Sequence, residues 1–318
     1  MTDPSDYDPV MPAGFRPAVD RIRAWSKEVN LADQKATEPD HPLYHYSDEA
    51  GFKGILQREE VWCFSHLHQT DRSEFSYSLD IAREALQEVG RSEDWFEKNF
   101  ALCILDMIQN NSFTDVFEFY LFSVSQHRDD PEQWKDFGRD GAGYVIGLAA
   151  HLFIGDKPEL SEVANQNVFS GRVLYGEAAI RSRHDSVFRQ AAKIVRSFAV
   201  ENSDLVRQYK PSAYLSGMAK ELIAGQLVWN CLTGKHQRYA NEREVRLLLL
   251  GLPATFDPFR KTHNGKPYVP SPLPLKTPRN VTEIIVGGAT PTGAEQSVLT
   301  FLEKHGYNYN IPIVRSKA

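Results

Sequence analysis

Apolar positions recur along this chain in two periods, near 3.6 and near 2, and the alternation between them lays out the elements. In "PAVDRIRAWSKEVNLADQ", residues 17–34, Val19, Ile22 and Val29 fall at helical spacing. "LYHY" then reads as the end of a strand, Ser47 as a helix N-cap, and Phe52, Ile55 and Leu56 as a short apolar stripe leading into the strand-like "VWCFS". Two amphipathic helices follow in "SYSLDIAREALQEV" and "SEDWFEKNFALCILDMIQN". In the second, Ser92 is the expected cap and Trp95, Phe96, Phe100, Cys103 and Ile104 the expected core stripe.

Strand patterns return in "VFEFYLFSVS" and "GAGYVIGL", separated by the helical turn "DPEQWKDFG", where Trp134 is expected in the core. "GRVLYG" precedes a long helical region, Ala178 to Leu232, broken near "KPSAYLSG". The leucine run of "EREVRLLLLGL" suits a strand buried on both faces. The Pro-rich segment 253–280 reads as a long irregular loop with one hairpin at Asn264-Gly265. "VTEIIVGG", a helix around "GAEQSVLTFLEKHGY" and "NIPIVRS" close the chain as strand, helix, strand. Gly287 and Gly288 lack the glycine spacing of a phosphate loop and fit a tight turn.

The pattern predicts a mixed α/β, α+β chain. Residues 1–40 form an N-terminal arm and helix, and 41–318 a single domain with helical insertions at about 75–110 and 178–232. At 318 residues such a domain can bury a large core. No apolar run approaches the roughly 20 residues that span a bilayer, and the acidic, Pro-rich start is unlike a signal peptide, so a cytoplasmic protein without membrane attachment is expected. The net charge of -6 argues against a generic grip on a phosphate backbone without excluding a local basic patch. Cys63, Cys103 and Cys231 lie far apart in apolar settings and are expected as buried thiols.

Four polar clusters interrupt this framework: His45 between Tyr44 and Tyr46, "TDRSE" at 70–74, "SVSQHRDD" at 123–130 and "NEREVR" at 241–246. Residues two apart on a strand share a face, which groups Glu242, Glu244 and Arg246. One such carboxylate could stabilise an oxocarbenium-like transition state while the other orients a nucleophile. Equally, the two could be strand-end charges paired with arginines. Ser123 and Ser125 share a face with room for a flat ligand, or form the polar face of an edge strand. His45 fits a cleft mouth, or a half-buried site among aromatics.

In this order, "LYHYSDEAGFKGILQREEVWCFS", "TDRSE", "LFSVSQHRDDPEQWKDFGRDGAGYVIGL", "VLYG", "RYANEREVRLLL" and "VTEIIVGG" resemble the DUF2971 family of bacterial proteins over roughly residues 42–290, with Thr70 where that pattern favours Asn. The order of strand histidine, Ser-x-Ser strand and Glu-x-Glu strand is also similar to that of ADP-ribosyltransferases, DNA-modifying toxins among them. That similarity implies a split-sheet core with NAD as substrate. It gives Glu244 as the catalytic carboxylate with Glu242 beside it, His45 as the ribose contact, and Tyr44, Tyr46, Ser123 and Ser125 as lining of the NAD pocket. No counterpart of the stacking tyrosine follows "VWCFS". The resemblance implies a toxin or phage-defence effector with a protein or nucleic-acid acceptor and an antitoxin or defence-system subunit as partner. Two other readings stand beside it. One is a metal-dependent nuclease or phosphodiesterase using acids among Asp71, Glu74, Asp129, Asp130, Glu242 and Glu244. The other is a non-catalytic sensor or adaptor that binds a nucleotide or a partner.

Overall fold

The opening strand, helix, strand unit forms where the hydrophobic pattern places it. In the computed structural model, which describes residues 12–36, 41–68, 73–109, 118–153 and 167–318, helix α1 (Arg16–Ala36) is followed by strand β1 (Leu43–Ser47), helix α2 (Glu49–Arg58) and strand β2 (Glu60–Ser65). The cap of α2 is Asp48, one residue beyond the expected Ser47; its carboxylate accepts the Gly51 N–H at 2.8 Å. Helices α3 (Glu74–Val89) and α4 (Trp95–Gln109) come next. Asp94, two residues past the expected Ser92, accepts the N–H groups of Phe96 and Glu97 and so starts α4. Trp95 is half exposed, at 50%, because the first turn of α4 holds it outside the apolar stripe formed by Phe100, Ile104 and Ile108.

Strand β3 (Glu118–Ser125), helix α5 (Pro131–Phe137) and strands β4 (Tyr144–Leu148), β5 (Asn167–Arg172) and β6 (Leu174–Tyr175) lead into the helical region. That region comprises α6 (Glu177–Glu201), α7 (Ser203–Tyr209) and α8 (Pro211–Leu222). A π-helical turn, Ile223–Leu227, then carries α8 into α9 (Val228–Leu232) and strand β7 (Gly234–Lys235). The expected break falls at Lys210, whose φ of 69° ends α7, and Pro211 then opens α8 at the position where its missing N–H costs nothing. The remainder is β8 (Glu244–Gly251), α10 (Pro253–Phe256), β9 (Lys261–His263), β10 (Lys266–Pro272), β11 (Val281–Val286), α11 (Ala294–Lys304) and β12 (Ile313–Arg315).

These elements sort into two compact units. The first is helical and takes α3, α4 and α6 to α9 together with most of α1 and the short parallel pair β6–β7. In it Gln226, on the π-turn, donates to the Ser26 carbonyl at 2.8 Å and to Asn30 Oδ1 at 2.7 Å, which ties α1 to the helical region. A buried ion pair joins Lys235 and Glu74 at 2.8 Å.

The second unit is built on a sheet ordered β12-β11-β4-β1-β3-β2-β10-β9, antiparallel except for the β11–β12 pair, with β8 and then β5 joined to β3. Leu247 and Leu249 of β8, Phe122 and Val124 of β3, and Ile146 and Leu148 of β4 share a buried core, which α2 closes with Phe52, Ile55 and Leu56 and α11 with Val298 and Leu302. Leu248 and Leu250 are buried as well, as a leucine run without alternation requires. The Pro-rich segment is more regular than expected. Asn264 and Gly265, both at positive φ, turn β9 into β10, and β10 pairs along β2 from Tyr268 to Pro272. Its prolines are tolerated because Pro267 precedes the β2 ladder and Pro270 and Pro272 lie past the end of β9, so each has an unpaired edge.

Cys63 and Cys231 are buried and Cys103 half-buried, all as free thiols, with burial pushing Cys231 up to about 12. Among the described residues no helix is long and apolar enough to cross a membrane.

Candidate functional site

The sheet splits at β3. Along one edge β3 pairs with β8 from Glu118 to Ser125. Its other edge is shared: β2 pairs at Tyr120 and Leu121, and β1 pairs at Ser125. No strand pairs with Phe122 to Val124 on that side, and the two neighbours part there.

Directly opposed residues of antiparallel strands face the same way. Tyr44 opposes Ser125, Ser125 opposes Glu244, and Ser123 opposes Arg246. One face of the sheet therefore carries Tyr44, Tyr46, Ser123, Ser125, Glu244 and Arg246, with Tyr44 and Tyr46 packed in a small cluster with Trp134, Val145 and Ile285, and the other carries the larger core. Glu244 and Arg246 are 7% and 3% exposed. Arg246 grips the carboxylate with both arms, Nε to Oε1 at 2.7 Å and Nη2 to Oε2 at 2.9 Å, and the Ser123 hydroxyl donates to Oε1 as well. A fork of this kind fixes the plane of the carboxylate and neutralises its charge. Strand periodicity places Arg246 on the face of Glu244 but gives it no role; a charged pair two apart, heading a run of four leucines, was the signal for one.

Glu242 does not extend this face. It is the last residue of a 3-10 turn, Gln237–Glu242, and β8 begins only at Glu244. Arg243 between them has a φ of 41°, a conformation that costs a residue with a side chain of order 1 kcal/mol or more. This break overrides the two-residue alternation expected across Glu242, Glu244 and Arg246. Ser125 holds the break in place, its hydroxyl donating to the Glu242 carbonyl at 2.7 Å, and the Gln126 N–H reaches the Arg243 carbonyl at 3.1 Å.

His45 leaves β1 on the side opposite the Ser123 hydroxyl and the Glu244 carboxylate. Alternation on β1 sends it to the core side, where its ring lies 4.5 Å from that of Phe122. Its Nδ1 lies 3.1 Å from the Ser123 carbonyl. A carbonyl only accepts, so Nδ1 carries the proton and donates. The imidazole thus satisfies a backbone group where β3 lacks a strand on that edge. Burial holds its pKa down to about 4, so the ring is neutral at pH 7.

Tyr44 and Tyr46 divide between two surroundings. The Tyr44 hydroxyl donates to Glu283 at 3.2 Å, and Arg128 binds the same carboxylate through Nε at 2.8 Å and Nη2 at 2.5 Å. Burial and the Glu283 charge push the Tyr44 phenol up to about 12. No local pattern announces the Arg128–Glu283 pair, since the partners lie 155 residues apart. Tyr46 packs edge-on against Trp134, which is buried as expected, and its hydroxyl donates to the His127 carbonyl and accepts the Asp130 N–H, both at 3.0 Å. These bonds make Tyr46 a clamp for the turn into α5.

The remaining acids each serve a local structure. Asp130 caps α5, Asp129 accepts from Trp134, Ser316 and the Lys317 N–H, and Glu74 pairs with Lys235. Asp71 lies outside the described residues. Among the described residues no three His, Cys, Asp or Glu side chains gather as a metal ion would need. The Gly287–Gly288 turn is tight because of close packing: the Gly287 N–H donates to the Gly143 carbonyl at 3.0 Å.

No curated protein and no solved structure matches this chain. Residues 133–247, from α5 through the Glu244–Arg246 pair, match the model of the family described as "Protein of unknown function (DUF2971)".

Proposed function

We propose that the Ser123–Glu244–Arg246 face is an ADP-ribosyltransferase-like site that binds NAD and cleaves its nicotinamide–ribose bond. The observation that carries this reading is the gathering of Tyr44, Ser123, Ser125 and an oriented carboxylate on one face where the sheet splits. In such a reaction the C1′–N bond breaks, its electron pair leaves with nicotinamide, and positive charge develops at C1′ and the ring oxygen. A carboxylate fixed beforehand stabilises that charge without reorganising. Glu244 would accept from the ribose 2-hydroxyl, Ser123 and Arg246 would hold its orientation, and water or an acceptor would attack C1′ and lose its proton. His45, on the core side, would act through the Ser123 backbone as a positioning residue and not touch the ribose; Glu242 would contribute its anchored carbonyl position.

The direct test is release of free nicotinamide from NAD by the purified protein, with and without an acceptor lysate. The simple Glu244→Gln comparison is compromised, because it leaves Arg246 buried without its counter-charge. Glu244→Gln with Arg246→Met removes both charges together and separates folding from chemistry. Release by the wild type that is lost in the folded double variant supports the reading, and release unchanged in that variant rules it out.

The two-armed pairing of the buried Glu244 favours a second reading: a nucleotide-binding face without turnover. NAD binding with no nicotinamide release selects it.

A further inference from the structure

At the far end of the same sheet a second surface combines aromatic rings with unpaired positive charge. Tyr268 opposes Phe64 and Lys261, Pro270 opposes Trp62, and Lys266 opposes His263. Lys261, His263, Lys266, Tyr268, Trp62 and Phe64 therefore project from one side of β9, β10 and β2. Trp62 is stacked on Tyr268 at 4.3 Å between ring centres, His263 lies 5.1 Å from Trp62, and the Arg58 guanidinium sits over the indole at 5.4 Å. Lys261, His263, Lys266 and Arg58 are exposed, and Trp62 and Phe64 are half-buried. Among the described residues neither lysine nor Arg58 has a carboxylate partner, although Arg260 nearby pairs with Glu118 and Asp257. Among the described residues the carboxylate on this face is Glu60, which accepts the Trp62 indole N–H at 3.0 Å.

We infer that this surface binds single-stranded nucleic acid, with bases stacking against His263, Trp62 and the Arg58 guanidinium, and phosphates meeting Lys261 and Lys266. Three cations against one committed carboxylate make the face positive on a chain of net charge -6, so the charge is local rather than inherited from composition. Flat rings and flat guanidinium groups accept any base, while unpaired lysines track a backbone. A duplex hides its base faces and offers the rings nothing. None of these residues is among those proposed to bind NAD, so the two proposals fail or stand separately.

The test is fluorescence anisotropy of labelled dT and rU 12-mers and of a 12-base-pair duplex, titrated with the full chain at several salt concentrations. Single strands of either sugar are expected to bind more tightly than the duplex. Lys261→Ala with Lys266→Ala, at exposed unpaired positions, is expected to weaken binding about tenfold and to lower the salt slope by about 1.4, since each lost single-strand phosphate contact contributes about 0.7. Trp62→Phe keeps a ring against Tyr268 and is expected to lose the quenching of intrinsic fluorescence that the oligonucleotide causes in the wild type. Absence of binding to either single strand at low salt, equal affinity for the duplex, or unchanged affinity and salt slope in the lysine variant would each overturn the inference.

Discussion

At the scale of single residues, the Glu244–Arg246 pair decides most. Both partners are buried, so removing one charge strands the other in a medium that solvates it poorly. Glu244→Gln is expected to destabilise the protein by about 3–5 kcal/mol, and adding Arg246→Met to recover most of that loss, as read by chemical denaturation. Two histidines make a second prediction. Burial holds His45 down to about 4 and His184 to about 3, against an ordinary value of 6.5. Between those values the unfolded chain binds protons that the folded chain refuses, so stability rises with pH across this window. Melting temperature should therefore fall as pH drops from about 6.5 towards 4, and His184→Gln should flatten part of the slope. His45→Ala should cost about 1–3 kcal/mol, because the Ser123 carbonyl then loses its donor.

Among elements, the turn after β11 shows how backbone proximity replaces sequence signature. A Cβ on Gly287 would lie 2.1 Å from the Gly141 carbonyl oxygen, and one on Gly143 would lie 2.4 Å from that of Ser47. Both neighbours are backbone and cannot swing aside. Gly287→Ala should therefore lower stability by about 1–3 kcal/mol in a denaturant titration, and an effect within a few tenths of zero would show that this turn relaxes. The same logic explains α4. Asp94 rather than Ser92 provides the first-turn acceptor, which shifts the stripe so that Trp95 stays exposed. In β10, register along β2 outweighs the proline content that suggested an irregular loop.

For the molecule as a whole, the proposals place two activities on one face of the sheet unit. They predict separable behaviour: Lys261→Ala with Lys266→Ala should leave nicotinamide release into water at the wild-type rate while weakening oligonucleotide binding. A parallel loss of both would show that the lysines act on the fold. Nicotinamide release should depend little on added salt, since Glu244 and Arg246 are shielded from solvent ions, whereas oligonucleotide binding should fall steeply with salt.

The sequence by itself determined the mixed α and β content, most strands and helices, the buried leucine strand, and the burial of Trp134, because each follows from periodicity within a dozen residues. It also brought Ser123, Ser125, Glu244 and Arg246 into view, since alternation within β3 and β8 is local. Tertiary structure alone decided that the β3 pair and the β8 pair lie on the same face. The pairing of β1 with β3 at Ser125 joins residues about 80 positions apart and sends His45 to the core, and a left-handed Arg243 removes Glu242 from its strand. Only the meeting of β2 with β9 and β10, some 200 residues later, assembles Trp62, His263 and two unpaired lysines into a surface. Strand partnership depends on contacts between distant segments, and no local period encodes it.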